Sequence, residues 1–100
     1  MTGSLALIIE DDEDLAAIFA EALHLAELET EIIVSGDAAA ARLKEVVPKV
    51  VVLDLHLPQV SGETLLRQIR STPALARTRV IIATADPVRL MVRAWKPISC

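Results

Sequence analysis

The sequence is short of residues that mark several protein classes. Two aromatic side chains occur, Phe19 and Trp95, and there is no tyrosine. The core must therefore be built from Val, Ile, Leu and Ala, a composition that suits helices packed on a parallel sheet whose central strands are apolar on both faces. The single cysteine, Cys100, can form no internal disulfide, so we expect a reducing, cytoplasmic environment.

Basic runs and long apolar segments are also missing. The chain has 10 Lys and Arg against 14 Asp and Glu, a net charge of -4, whereas nucleic-acid surfaces usually show as basic patches. No apolar stretch approaches the roughly 20 residues that span a bilayer, and the opening MTGSLALIIEDD lacks the basic start of a signal peptide. We expect one soluble domain over residues 1–100, either a single-domain protein or a piece of a longer chain, that binds neither nucleic acid nor membrane.

Short apolar runs alternate along the chain with segments of helical periodicity. The predicted strands cover residues 5–9, 31–34, 50–53 and 80–83, and the predicted helices cover 14–28, 37–47 and 62–70. Pro48 ends the second helix, and Ser61 is the expected N-cap of the third. This alternation predicts a parallel α/β sheet with right-handed crossovers.

Polar residues follow three of these strands at the point where each ends. Glu10, Asp11 and Asp12 follow the first strand, Asp54 follows the third and Thr84 the fourth. Because ligands of parallel α/β sheets sit at the carboxyl ends of the strands, these carboxylates are expected to converge. Like charges this close destabilise one another unless a cation lies among them. Oxygen ligands without a His/Cys cluster favour Mg²⁺ over zinc.

Magnesium beside a carboxylate permits phosphoryl chemistry. The Asp54 side chain can attack a phosphoryl group and become an acyl phosphate. The metal and a nearby cation would then neutralise the phosphoryl oxygens. Lys96, followed by Pro97, supplies an ammonium, and the Thr84 hydroxyl can hydrogen-bond a phosphoryl oxygen.

Four segments, taken in order and spacing, resemble the receiver domain of two-component response regulators: IIEDDEDL, VVLDLHLPQVSG, IIATAD and WKP. The resemblance runs from Leu5 to about Asp86 and resumes at Lys96 and Pro97. It implies a flavodoxin-like, doubly wound parallel sheet in the order 2-1-3-4-5. It also implies a phosphoaccepting signalling module, not an enzyme, although such a domain assists its own phosphorylation and dephosphorylation.

The resemblance assigns roles to the acidic residues. Asp54 matches the phosphoacceptor, Asp11 the direct Mg²⁺ ligand and Glu10 its water-mediated companion, while the main-chain carbonyl of His56 completes the metal site. Helix capping is an equally good reading of Asp12. The His56 side chain either gates water beside the acceptor or is an ordinary loop residue.

Further roles follow from the segments near the end of the chain. Thr84 matches the switch hydroxyl, Ala85 leaves room for the phosphoryl group, and Lys96 pairs with it, with a cis peptide expected before Pro97. The implied partners are a histidine kinase or phosphotransfer domain and, through the output face that Thr84 switches, a second copy of the chain.

The sequence departs from the family after Thr84. Only eleven residues, ADPVRLMVRAW, separate Thr84 from Lys96, and a parallel crossover alone needs about a dozen. Three residues follow Pro97, so the final helix is expected to be absent. The fourth helix and fifth strand are expected to be shortened or partly missing, either in the natural domain or through omission of residues between Pro87 and Trp95.

Two other functions compete with the phosphoacceptor. A haloacid-dehalogenase-type phosphatase also uses a strand-end Asp with Mg²⁺, but it needs a second Asp two residues later, where this chain has His56. The stronger alternative is a non-phosphorylated, receiver-like protein-interaction domain. The presence of every residue that the chemistry needs argues against it, and the altered segment after Asp86 leaves it open. A P-loop NTPase is excluded because no Gly-rich loop with a lysine occurs.

Overall fold

The computed structural model describes residues 4–57 and 60–83. The strands are β1 (Leu5–Ile9), β2 (Glu29–Ile33), β3 (Val50–Asp54) and β4 (Arg79–Ala83), and the helices are α1 (Glu13–Leu25), α2 (Gly36–Arg42) and α3 (Gly62–Ser71). All strand pairs are parallel, and the order β2-β1-β3-β4 confirms the predicted flavodoxin-like arrangement. The predicted fifth strand, the altered fourth helix, the final helix and the Lys96–Pro97 cis peptide lie outside the described residues.

The two central strands are apolar on both faces because helices cover both. Leu7 and Leu53 point into the larger core cluster, which also contains Leu65 of α3. Ile8 and Val52, one residue out of phase, pack on the other face with residues of α1. This alternation is the period-2 geometry of a strand. Among the described residues, the buried core positions are aliphatic.

Helix α1 begins one residue earlier and ends three residues earlier than its periodicity predicts. Asp12 caps it, since its side chain accepts hydrogen bonds from the N–H groups of Asp14 and Leu15. After Leu25 the chain turns through Glu27, which has a positive φ of 67°. The predicted end at residue 28 is wrong because this left-handed residue stops the helix.

The predicted extent of α2 is also wrong, because the helix ends at Arg42 and not near residue 47. The next turn tightens, with the N–H of Lys44 bonding to the carbonyl of Ala41. Pro48 disfavours helical backbone in the residue before it, which is residue 47, the predicted last residue of the helix. Strand β2 begins two residues earlier than predicted, at Glu29.

Helix α3 confirms its prediction closely. Ser61 is the N-cap, with its hydroxyl accepting from the N–H of Thr64, and Leu65 and Ile69 are fully buried. The helix runs to Ser71, one residue past the predicted end. None of the helices within residues 4–57 and 60–83 is both long and apolar enough to cross a bilayer.

Candidate functional site

The pairing of β1 with β3 brings two acidic positions to one edge of the sheet. Ile9 is the register partner of Leu53. Glu10, directly after β1, therefore lies beside Asp54, the last residue of β3. Parallel strands present their carboxyl ends on the same side, so strand order alone determines this meeting.

Three carboxyl groups gather there. Glu10, Asp11 and Asp54 each place a carboxylate oxygen within 4.8 Å of the others. Glu10 and Asp54 are 3% and 6% exposed, whereas Asp11 is exposed. The group therefore has a buried floor and an open side, the arrangement that a metal ion or a reactant from solvent requires.

Backbone N–H groups orient the two buried side chains. Asp12 N–H donates to Glu10 Oε2 at 3.1 Å, and His56 N–H donates to Asp54 Oδ1 at 3.0 Å. The other Glu10 oxygen, Oε1, is buried and has no hydrogen-bond partner among the described residues. An unpaired buried carboxylate oxygen is costly, so this atom marks the place where a proton or a cation is needed.

Burial raises the pKa of Glu10 from 4.5 to about 7. The hydrogen bond from the Asp12 N–H opposes this shift, while the charge of Asp54 adds to it, and a protonated Glu10 can share its proton with Asp54. The charge of Asp11 raises the pKa further. Without a cation, the cluster therefore holds a proton near neutral pH.

The remaining predicted site residues divide into two groups. The His56 N–H bonds to Asp54, and the residue is exposed as predicted, while both interpretations of its side chain stay predictions. Asp12 serves as the N-cap of α1, which bears out its capping interpretation. Thr84 and Lys96 lie outside the described residues, so their roles stay predictions.

Sequence reasoning gave Gly62 no role beyond the start of a helix. A Cβ at this position would overlap the carbonyl oxygen of Asp54 and lie 2.6 Å from the Cα of Leu55. The first turn of α3 can therefore rest directly on the end of β3 only because residue 62 has no side chain. A glycine at the first position of a helix was the available signal, since glycine is a poor helix former.

Comparison with known proteins gives concordant matches. The family model of the response regulator receiver domain matches residues 6–96. The phosphate regulon transcriptional regulatory protein PhoB of Rhizobium meliloti (strain 1021) is 37% identical over 78 residues, which make up 78% of this chain and 34% of that protein. The chain thus spans about a third of the length of this relative.

Solved structures agree. The signal receiver domain of a DNA binding response regulator protein from Colwellia psychrerythraea 34H is 30% identical, with a TM-score of 0.75 over 90% of this chain and 79% of that one. The receiver domain of a sensor histidine kinase from Pseudomonas aeruginosa PAO1 has a TM-score of 0.77 at 20% identity, covering 88% of this chain and 72% of that one, and shares the fold.

The family match, the relatives and the sheet order all agree with the resemblance found in the sequence. Receiver domains are signalling modules of two-component systems, and they interact with histidine kinases and phosphotransfer partners. With its acidic cluster at the carboxyl edge of a β2-β1-β3-β4 sheet, this chain belongs to the response regulator receiver domain family.

Proposed function

We propose that Asp54 accepts a phosphoryl group from a histidine kinase, a phosphotransfer domain or a small phosphodonor, with Mg²⁺ bound beside it. The observation that carries the proposal is the meeting of Glu10, Asp11 and Asp54 within 4.8 Å, with Asp54 at the end of a strand that is buried from Val51 onward. A rigid strand end holds a nucleophile in one position, which favours reaction.

The residues present fit a magnesium ion. The donor set consists of oxygens only, the ligands that Mg²⁺ prefers, and Glu10 Oε1 lacks a partner. Asp11 and Asp54 would bind the ion directly, Glu10 through water, and His56 through its main-chain carbonyl. The receiver domain from Pseudomonas aeruginosa holds a magnesium ion in its active site cleft. When bound, the ion supplies positive charge that neutralises the phosphoryl oxygens.

The protein's own groups carry out the transfer. An oxygen of Asp54 attacks phosphorus and forms an O–P bond while the P–N bond of a phosphohistidine breaks. The imidazole nitrogen keeps the electron pair and takes up a proton. His56 N–H, 3.0 Å from Asp54 Oδ1, orients the carboxylate for this attack. Thr84 and Lys96 would then stabilise the transferred group, the hydroxyl by donating a hydrogen bond and the ammonium by charge.

The wider biological setting is part of the same proposal. We expect the domain to act in the cytoplasm, to signal through the face that Thr84 switches, and to form a homodimer through that face. It would contact no nucleic acid itself. The PhoB relative is a transcriptional regulator, so any such output here would belong to a segment beyond the receiver domain.

Incubation with Mg²⁺ and acetyl phosphate tests the proposal. We expect a mass increase of one phosphoryl group that hydroxylamine removes, as it does from an acyl phosphate. The Asp54→Asn variant should show none, since an amide cannot act as the nucleophile. Asp37→Asn, at an exposed aspartate in the first turn of α2, is the matched control and should react like the unaltered chain.

Two results would contradict the proposal. Equal phosphate incorporation into Asp54→Asn would assign the acceptor elsewhere. No incorporation into the unaltered chain from acetyl phosphate or from a histidine kinase would favour the non-phosphorylated interaction domain. The metal-free Asp54→Asn domain should be at least as stable as the unaltered one, because the change removes a charge from an acidic cluster. A lack of phosphate incorporation into Asp54→Asn would then reflect the missing nucleophile and not a misfolded protein.

A further inference from the structure

Helix α2 begins with a residue that disfavours helices. Gly36 is its first residue and is buried, although glycine lowers helix stability by about 1 kcal/mol relative to alanine. The backbone reason is not a positive φ, since within residues 4–57 and 60–83 the glycines contribute none. The reason is space. A Cβ on Gly36 would lie 2.6 Å from both the Cβ and the carbonyl oxygen of Val60.

Val60 lies on the chain between the proposed active site and α3. It is half-buried and packs against the larger core cluster. Two residues later, Gly62 rests against the backbone of Asp54 and Leu55. The segment from residue 60 to residue 62 is therefore held on one side by the first turn of α2 and on the other by the end of β3, through two glycines.

We propose that Gly36 is a positioning residue for the metal site. It does not touch the site itself. Its contact with Val60 holds residues 60–62 against the backbone of Asp54 and Leu55, and so sets the place of the strand end that carries Asp54 and leads to the His56 carbonyl. The inference rests on the proposed function, because that carbonyl matters only if it binds Mg²⁺. The ion demands near-ideal octahedral geometry at about 2.0–2.1 Å, so small shifts of a ligand weaken binding.

Helix α2 is the fixed partner in this contact. The Arg42 guanidinium makes two hydrogen bonds to Glu31 of β2, at 2.8 and 3.0 Å, and Gln68 of α3 donates to the Ala40 carbonyl at 3.0 Å. Non-bonded carbons settle about 3.5–4.0 Å apart. A methyl group at residue 36 would therefore push Val60 away by roughly 1 Å, because α2 is anchored and Val60 is the side that moves.

The Gly36→Ala variant tests this inference. Helix propensity alone predicts a more stable protein with unchanged metal binding. Positioning predicts that the Kd for Mg²⁺, measured by titration calorimetry, rises about tenfold, the size of effect seen when groups that orient metal ligands are altered. In the metal-free protein, the NMR amide signals of His56 and Val60 should also shift. Ala38→Gly, an exposed position in the same turn, should change neither.

A second variant keeps the test decisive if Gly36→Ala folds poorly. Val60→Gly removes one of the two atoms that the new methyl would strike at 2.6 Å and leaves the carbonyl oxygen, so the double variant should recover part of the lost Mg²⁺ affinity and bind more tightly than the two single effects combined predict. An unchanged Mg²⁺ Kd in folded Gly36→Ala would overturn the inference. So would a His56 amide NMR signal that does not shift in the metal-free variant. Failure of the unaltered chain to bind Mg²⁺ would instead overturn the proposed function, and it would be seen before any variant is made.

Discussion

Glu10 sets the pH dependence of the metal-free domain. Among the described carboxyl groups it is the least exposed, at 3%, and burial raises its pKa to about 7 from 4.5. Between these two pH values the folded state binds a proton that the unfolded chain has already released. Stability from this group is complete below about pH 4.5, and it is lost as pH rises through about 7.

We therefore expect Glu10→Gln to become more stable than the unaltered chain as pH rises. Glutamine remains neutral at every pH, so the variant lacks the loss that deprotonation causes. One pKa unit corresponds to about 1.4 kcal/mol, which puts the difference in unfolding free energy gained from pH 4.5 to 7 on the order of 3 kcal/mol. Urea unfolding in EDTA at a series of pH values measures it.

An exposed glutamate provides the control for this measurement. Glu13, in the first turn of α1, is exposed, so Glu13→Gln should leave the pH profile nearly parallel to that of the unaltered chain. A constant difference between Glu10→Gln and the unaltered chain from pH 4.5 to 7 would contradict the raised pKa of Glu10. Saturating Mg²⁺ should remove the effect, because the ion favours the carboxylate.

At the scale of elements, the N-cap of α3 should make a measurable contribution to the unfolding free energy. Ser61 Oγ accepts a hydrogen bond from Thr64 N–H at 3.2 Å and lies 3.0 Å from Thr64 Oγ1. Replacement of such a cap by alanine costs about 1 kcal/mol, so Ser61→Ala should lower the unfolding free energy by this amount in urea. It should also weaken Mg²⁺ binding slightly, because the helix follows the loop from Asp54.

The same substitution at the other end of the helix is the control. Ser71 Oγ donates to the Arg67 carbonyl at 2.7 Å inside an existing turn, a bond that adds little to helix stability. Ser71→Ala should therefore be neutral or slightly stabilising. Equal losses from both variants would mean that the two hydroxyls matter for some reason other than capping.

Element centres could be predicted from the sequence more securely than element ends. Strand β1 is apolar at every buried position, and so is β3 up to Leu53, the residue before Asp54, so the sequence pattern of both predicts buried strands. The edge strand β2 begins with Glu29 and Thr30, polar residues that are strand only because they pair with β1. The end of α1 depends on the left-handed backbone of Glu27. Glycine at this position would have indicated such a conformation in the sequence, and glutamate does not. These ends are decided by tertiary contacts that periodicity does not record.

The candidate site shows the same division. Strand order and polar strand ends were enough to predict that Glu10, Asp11 and Asp54 meet. The contact of Gly36 with Val60 could not be predicted, because it depends on how the first turn of α2 packs against a loop 24 residues later in the chain. Such contacts between loops and helix ends follow from the packed fold and leave only a weak trace in composition.

At the scale of the whole molecule, the proposed metal site would couple metal binding to folding through the sheet. The carboxylate oxygens that would bind the ion come from residues that follow β1 and end β3, and these strands are the centre of the sheet. Unfolding separates them, so only the folded state can bind Mg²⁺ with all of them. An ion that binds the folded state alone adds RT ln(1 + [L]/Kd) to the unfolding free energy.

We expect Mg²⁺ at one hundred times its Kd to stabilise the domain by about 2.7 kcal/mol. For a domain of 100 residues this raises Tm by roughly 10–20 °C, which differential scanning calorimetry with Mg²⁺ and with EDTA would measure. NaCl at matched ionic strength should give a much smaller rise, since screening alone does not fill the site. Asp54→Asn should lose most of the Mg²⁺-dependent rise, because the change removes a proposed direct ligand from the buried floor. An equal rise in Asp54→Asn would place the ion at some other acidic group, such as the first turn of α1, and would contradict the proposed metal site.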